Sequence, residues 1–126
     1  MKKVTLVARI LLGFVFFASG IAFFFTTPPP LEGKMAEFFN GIMATGYFIY
    51  LLKGTEILCG LFLLLGRFVP LALVVLAPIV LNIFMIHAFL EPSGLILASI
   101  MGALTVYLAF FSNEYSPTIK QLFRAK

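Results

Sequence analysis

Four long apolar runs constrain the fold of this 126-residue chain more than any other feature. They occupy roughly residues 4–25, 47–65, 68–90 and 94–111, and each has the ~20 residues that a helix needs to cross a ~30 Å hydrocarbon core. Hydrophobic residues make up 62% of the chain and charged residues only 11%, against roughly 25% charged in soluble domains. The sequence predicts an all-α membrane protein, a single four-transmembrane-helix bundle over 1–126, with no room for a soluble catalytic domain.

The distribution of basic residues predicts the orientation of the bundle. Seven of them lie near the termini or in the second connector, whereas Lys34 is the only one on the opposite side. The seven are Lys2, Lys3, Arg9, Arg67, Lys120, Arg124 and Lys126. By the positive-inside rule both termini are cytoplasmic. Orientation alone therefore accounts for the net charge of +4, without a nucleic-acid partner. The start of the chain also resembles a cleavable signal peptide, but Arg9 interrupts its apolar core.

The first and last connections each predict a short helix. Three prolines at 28–30 cannot continue a helix, and the segment after them places apolar residues at helical spacing. These residues are Met35, Phe38, Phe39, Ile42 and Met43. Two placements are open: a helix in the outer interface that covers the mouth of the bundle, or an extra turn packed on the second span. Near the C-terminus, Ser116 and Pro117 predict an N-cap and a first helical residue.

Stripes of small residues predict which helix faces meet, because small side chains let backbones approach closely in lipid. The first span carries Gly13 and Gly20 on the same side as Arg9 and Phe16. The fourth span carries a longer stripe: Gly94, Ala98, Gly102, Thr105 and Ala109. That stripe predicts either internal packing or a homodimer.

Polar residues inside the predicted spans form the candidate site. They are Arg9, Lys53, Glu56, Asn82 and His87. Counting about 1.5 Å per residue places Glu56 near the bilayer centre and Lys53 and Asn82 about 5 Å to its outer side. Arg9 lies about 8 Å to the inner side of its span's midpoint, and His87 about 12 Å to the outer side. With the polar faces turned inward, these groups form a ladder from Arg9 to the outer water.

Two interpretations of this ladder are open. An ionised side chain at the bilayer centre is costly, so Glu56 is either neutral or bonded to Lys53 or Arg9. The pair can be purely structural, as can an Asn82 that bridges helices. In the functional interpretation Glu56 and His87 relay protons and Arg9 or Lys53 stabilises a developing anion.

Residue counts exclude several chemistries. One histidine cannot supply two haem ligands, and Cys59 has no second thiol for dithiol exchange. His87 with Glu91 is too few ligands for a zinc site, so no metal is expected. No glycine-rich phosphate loop is present.

Three segments resemble signatures of the DoxX family of small bacterial membrane proteins: RILLGFVFFASG at 9–20, GTEILCGLFLLLGRFVPLALVVLAP at 54–78 and NIFMIHAFLEPSG at 82–94. The resemblance implies a four-helix bundle in the bacterial inner membrane. Its recurrent polar positions correspond to Arg9, Glu56, Asn82 and His87. Many members have a basic residue soon after the first motif, where this chain is wholly apolar at 21–25. Because that basic residue is absent here, we expect Lys53 to supply the corresponding positive charge.

The resemblance also implies the leading functional hypothesis, because the wider family is similar to a subunit of thiosulfate:quinone oxidoreductase. The chain is expected to be an accessory or electron-transfer subunit, binding a quinone-like molecule at the polar cluster alongside membrane or soluble redox subunits. Whether it is itself enzymatic is left open. One alternative is a transporter or cargo-handling protein for small molecules or lipids. The other is a structural assembly factor without chemistry.

Overall fold

The architecture is a bundle of membrane-length helices. The computed structural model describes residues 2–26, 32–90 and 92–124; the prolines at 28–30, Glu91 and Lys126 lie outside this part. The helices are α1 (Lys2–Phe25), α2 (Gly33–Ala44), α3 (Phe48–Leu65), α4 (Val69–Phe89), α5 (Leu95–Val106) and α6 (Ser116–Gln121). A 3₁₀ turn, Pro92–Gly94, precedes α5, and a π-helical turn, Tyr107–Phe111, follows it.

Four apolar segments are long enough to cross a bilayer: Lys3–Phe25, Phe48–Leu65, Val69–Phe89 and Pro92–Phe111. They coincide within a few residues with the four predicted spans, so the four-helix membrane fold is confirmed. Large side chains such as Phe14, Leu51 and Ile96 are exposed on the outside of the bundle. An apolar exterior of this kind requires lipid as its solvent.

Glycines join α1 to α3 with backbone contact. A Cβ atom added at Gly60 would lie 2.6 Å from the Phe17 amide nitrogen and 2.8 Å from the Gly13 carbonyl oxygen. One at Gly20 would lie 3.2 Å from the Lys53 carbonyl oxygen. Since residue numbers rise along one helix as they fall along the other, the two helices are antiparallel. The predicted small-residue face of the first span is thus a helix–helix interface.

The small-residue stripe of the fourth span serves mainly the internal core. Ala98, Thr105 and Ala109 are buried within the single chain. Gly94 packs against the His87 ring, where an added Cβ would collide with it. Gly102 differs, because a Cβ there would meet only the Val80 side chain, at 4.0 Å.

The short helix expected after the first span is present as α2. Four of its predicted apolar residues, Met35, Phe38, Phe39 and Ile42, line a cavity inside the bundle. Met43 is not in that lining and is 40% exposed. The helix is confirmed, while its placement at the bilayer interface stays a prediction.

The C-terminal helix begins differently from the prediction. Ser116 is the first residue of α6 and Tyr115 holds the N-cap position without a side-chain cap. The fourth span ends at Phe111 in the π-helical turn, whose last bond runs from the Ser112 amide to the Tyr107 carbonyl (2.9 Å). The Ser112 hydroxyl then accepts a hydrogen bond from the Tyr115 amide at 3.2 Å. Ser112 therefore stabilises the turn before α6, and α6 itself has no side-chain cap.

Candidate functional site

A cavity of about 600 Å³ lies between α2 and the inner faces of the four spans. Most of its wall is apolar, as in typical small-molecule pockets of about 300–1,000 Å³. Its polar lining consists of Ser19, Lys53, Glu56, Asn82 and His87. The structure therefore brings together four of the five residues predicted for the site and adds a serine.

Lys53 and Glu56 form an ion pair on the wall that α3 contributes. Their spacing of three residues puts both on one face of the helix, with Lys53 Nζ 3.2 Å from Glu56 Oε2. Glu56 is only 3% exposed, and its Oε2 has no partner in hydrogen-bond geometry among the described residues. Lys53 Nζ also lies 5.9 Å from the centre of the Phe23 ring, within range of a cation–π contact. The pair is electrically neutral and leaves both charged groups beside the cavity.

Asn82 and His87 line the same cavity from α4. Five residues separate them, which corresponds to about 7.5 Å along the helix axis. His87 is half-buried against Gly94, at the end of α4 that leads into the fourth span. The cavity wall therefore presents the amide of Asn82 and, farther toward one end of the bundle, the imidazole of His87.

Arg9 lies apart from these groups, which corrects the predicted ladder. Its guanidinium packs against Gly66, just beyond the last residue of α3, and Arg9 is not in the cavity lining. Ten residues of α3 separate Gly66 from Glu56, or about 15 Å along the axis. The antiparallel contact of α1 with α3 fixes this register, because Gly13 and Gly20 hold α1 against residues 53–64. Arg9 cannot share a ligand with Glu56.

The position of Arg9 predicts a structural role. The last carbonyl groups of α3 carry partial negative charge, and a cation beside them contributes about 0.3–1 kcal/mol, or up to ~2 in partly buried sites. Replacing Arg9 by methionine should lower the free energy of unfolding by about 1 kcal/mol, without changing ligand affinity at the cavity. Unfolding followed by circular dichroism in detergent measures this. Arg67→Met is the control, since Arg67 is exposed in the same turn. Loss of ligand binding by a stable Arg9→Met variant would contradict this assignment.

Two parts of the cavity were missed in the sequence. Ser19 lies about one helical turn after the buried Phe16. It also belongs to a small-residue segment that resembles a signal-peptide cleavage region, so its place in the cavity was not predicted. The apolar face of α2 lines the same cavity as Lys53 and Glu56, which the helical spacing of α2 alone does not predict. Helical spacing from Phe16 was the available signal for Ser19.

Comparison with known proteins gives one family. The family model described as DoxX matches residues 4–88, about two thirds of the chain. The match runs from α1 almost to the end of α4, so it includes every polar residue of the cavity. No curated protein and no solved structure is significantly similar to the chain.

Proposed function

This chain belongs to the DoxX family, and from that premise we propose that it is an accessory or electron-transfer subunit of a membrane redox system. Its cavity would hold a quinone-like molecule, apolar except for a headgroup that forms hydrogen bonds. The observation that carries the proposal is the ion pair between the partly exposed Lys53 and the buried Glu56, on the wall of a mostly apolar cavity.

The size and lining of the cavity support a ligand of this chemistry. At about 600 Å³ it has room for a ring and part of an apolar tail. Lysine has three N–H donors and an asparagine amide has two, so Lys53 and Asn82 can both donate to carbonyl oxygens of a headgroup. The Lys53 side chain is 20% exposed, which leaves it reachable from the cavity.

The same groups suit a proton-coupled redox step. When a bound carbonyl gains electron density, Lys53 supplies the positive charge that stabilises it. Glu56 and His87 are the groups able to carry protons, Glu56 at the ion pair and His87 toward the end of the bundle. Electrons would be exchanged with a separate membrane or soluble redox subunit.

The distribution of basic residues supports an orientation of the bundle in the membrane. Lys3, Arg67 and Lys120 lie at the end of the bundle that carries both termini. The positive-inside rule then favours a bacterial inner membrane with both termini cytoplasmic. The α2 helix would cover the cavity on the opposite, outer side.

Titration of the purified protein in lipid nanodiscs with a short-chain benzoquinone tests the proposal. We expect saturable binding by calorimetry, and a loss of affinity of about tenfold for Asn82→Leu, which corresponds to ~1.4 kcal/mol. The matched control is Asn113→Leu, an exposed asparagine before α6 that does not line the cavity. Absence of saturable binding by the wild-type protein would refute the proposal.

A structural assembly factor is the second candidate function. It is favoured by the pairing of Lys53 with Glu56 on one helix, because a pair that neutralises itself can stay inside the bundle without a ligand. For this candidate, a folded protein lacking both charges would keep its partner-dependent function.

A further inference from the structure

A second groove, of about 550 Å³, lies between α4, the fourth span and α6. It shares no lining residue with the ligand cavity. Its lining is almost wholly apolar, and small residues such as Ala77, Gly102 and Ala109 form part of it. The hydroxyl of Thr105, one of its few polar groups, donates to the Met101 carbonyl at 2.9 Å. The groove therefore suits an apolar occupant.

The groove runs along the membrane-spanning part of α4. Its lining on this helix extends from Leu73 to Phe84, a rise of about 16 Å. Leu73 belongs to the second turn of α4, so the groove begins near the end of the bundle that carries the termini. Phe84 lies five residues beyond the middle of the helix, so the groove continues past the midplane of the bilayer by about 7.5 Å.

A basic residue, Lys120, lies on α6 next to the lining residue Ile119. The groove is lined by Ile119 on α6 and by Leu122 and Phe123 in the turn that follows it. Lys120 is exposed beside them. Among the described residues at this end of the bundle, Glu114 is the only acidic side chain. Each basic residue near an anionic leaflet contributes about 1 kcal/mol. The apolar groove and the positive charge together complement an anionic amphiphile.

We propose that this groove is a lipid site that binds one acyl chain of an anionic phospholipid, with the phosphate of the headgroup beside Lys120. The site is independent of the ligand proposed for the cavity. Its geometry predicts one lipid per chain, drawn from the leaflet on the side of the termini.

Native mass spectrometry of the purified full-length protein, mixed with phosphatidylglycerol or phosphatidylcholine, tests the proposal. We expect one retained phosphatidylglycerol per chain and weaker retention of phosphatidylcholine. Lys120→Gln should reduce the preference for phosphatidylglycerol about fivefold. Equal retention of the two lipids by the wild-type protein would overturn the proposal.

Filling the groove with a larger side chain is a second test of the lipid site. Gly102→Leu places a side chain in the groove, and its Cβ fits at 4.0 Å from Val80; we expect it to reduce lipid retention at least about tenfold. Ala103→Leu, at the exposed position next to it, is the matched control. If Gly102→Leu does not fold, Ser99→Leu fills the groove from the same helix. Undiminished lipid retention by the folded groove variant would overturn the proposal.

Discussion

Replacing Gly60 by alanine is expected to destabilise the bundle by about 3 kcal/mol, the upper part of the range for overpacking. The new Cβ would lie 2.6 Å from a backbone nitrogen of α1 and 2.8 Å from a backbone oxygen. Backbone atoms cannot rotate away as a side chain can, so α1 and α3 must separate along their interface. Reversible unfolding in mixed micelles, followed by circular dichroism, measures the loss.

Gly54 provides the control for this substitution on the same helix. A Cβ there meets nothing within 4 Å, and alanine is favoured over glycine in a helix by up to about 1 kcal/mol. Gly54→Ala should therefore leave the stability unchanged or raise it. Equal effects of the two substitutions would contradict the close contact of α1 with α3.

Removing one member of the buried ion pair is expected to be far more damaging than removing both. Glu56→Leu leaves the Lys53 ammonium without its counter-charge, at a cost of about 3–5 kcal/mol. The double variant Lys53→Leu with Glu56→Leu should return to within about 1 kcal/mol of the wild-type stability, because both charges leave together. The same unfolding measurement, applied as a double-mutant cycle, gives the coupling free energy between Lys53 and Glu56.

The chain contains a matched pair for this cycle. Lys34 and Glu37 have the same three-residue spacing on α2 and are both exposed. Removing either or both should change the stability by less than about 1 kcal/mol. A coupling free energy for Lys53 and Glu56 as small as that for Lys34 and Glu37 would contradict the expected strengthening of the ion pair by burial of Glu56.

The sequence was sufficient to predict the spans, because the length of an apolar run and the thickness of a bilayer determine them almost alone. Helical periodicity was sufficient for α2, whose apolar face is continuous from Met35 to Ile42. The small-residue face of α1 was also predictable, since close approach in lipid needs glycine at Gly13 and Gly20. These features depend on local sequence and on the solvent.

The register between helices was not predictable in this way. Depths counted from the midpoint of each span placed Arg9 near enough to Glu56 to share a site, whereas the α1–α3 contacts place its guanidinium beside Gly66. That register depends on which glycine meets which backbone atom, a long-range fact. The π-helical turn that ends the fourth span also takes part in a long-range contact, since the Tyr107 hydroxyl lies 2.9 Å from Thr5 Oγ1 on α1.

Some of the polar cavity residues could be predicted from the sequence, and one could not. Lys53, Glu56, Asn82 and His87 were predictable, because a polar side chain inside an apolar span is rare enough to single out. Ser19 was not, since a serine in a transmembrane helix can bond to its own backbone and needs no site. Only the tertiary structure places Ser19 in the lining of the same cavity as Glu56.

The most direct test of the ligand site is calorimetric titration of the Lys53→Leu/Glu56→Leu variant with a short-chain benzoquinone in nanodiscs. The Lys34→Leu/Glu37→Leu variant serves as the reference for equal loss of charge. We predict that the first variant is folded and loses saturable binding, whereas the reference binds as the wild-type protein does. Binding of equal affinity by both folded variants would contradict the assignment of the cavity as the functional site.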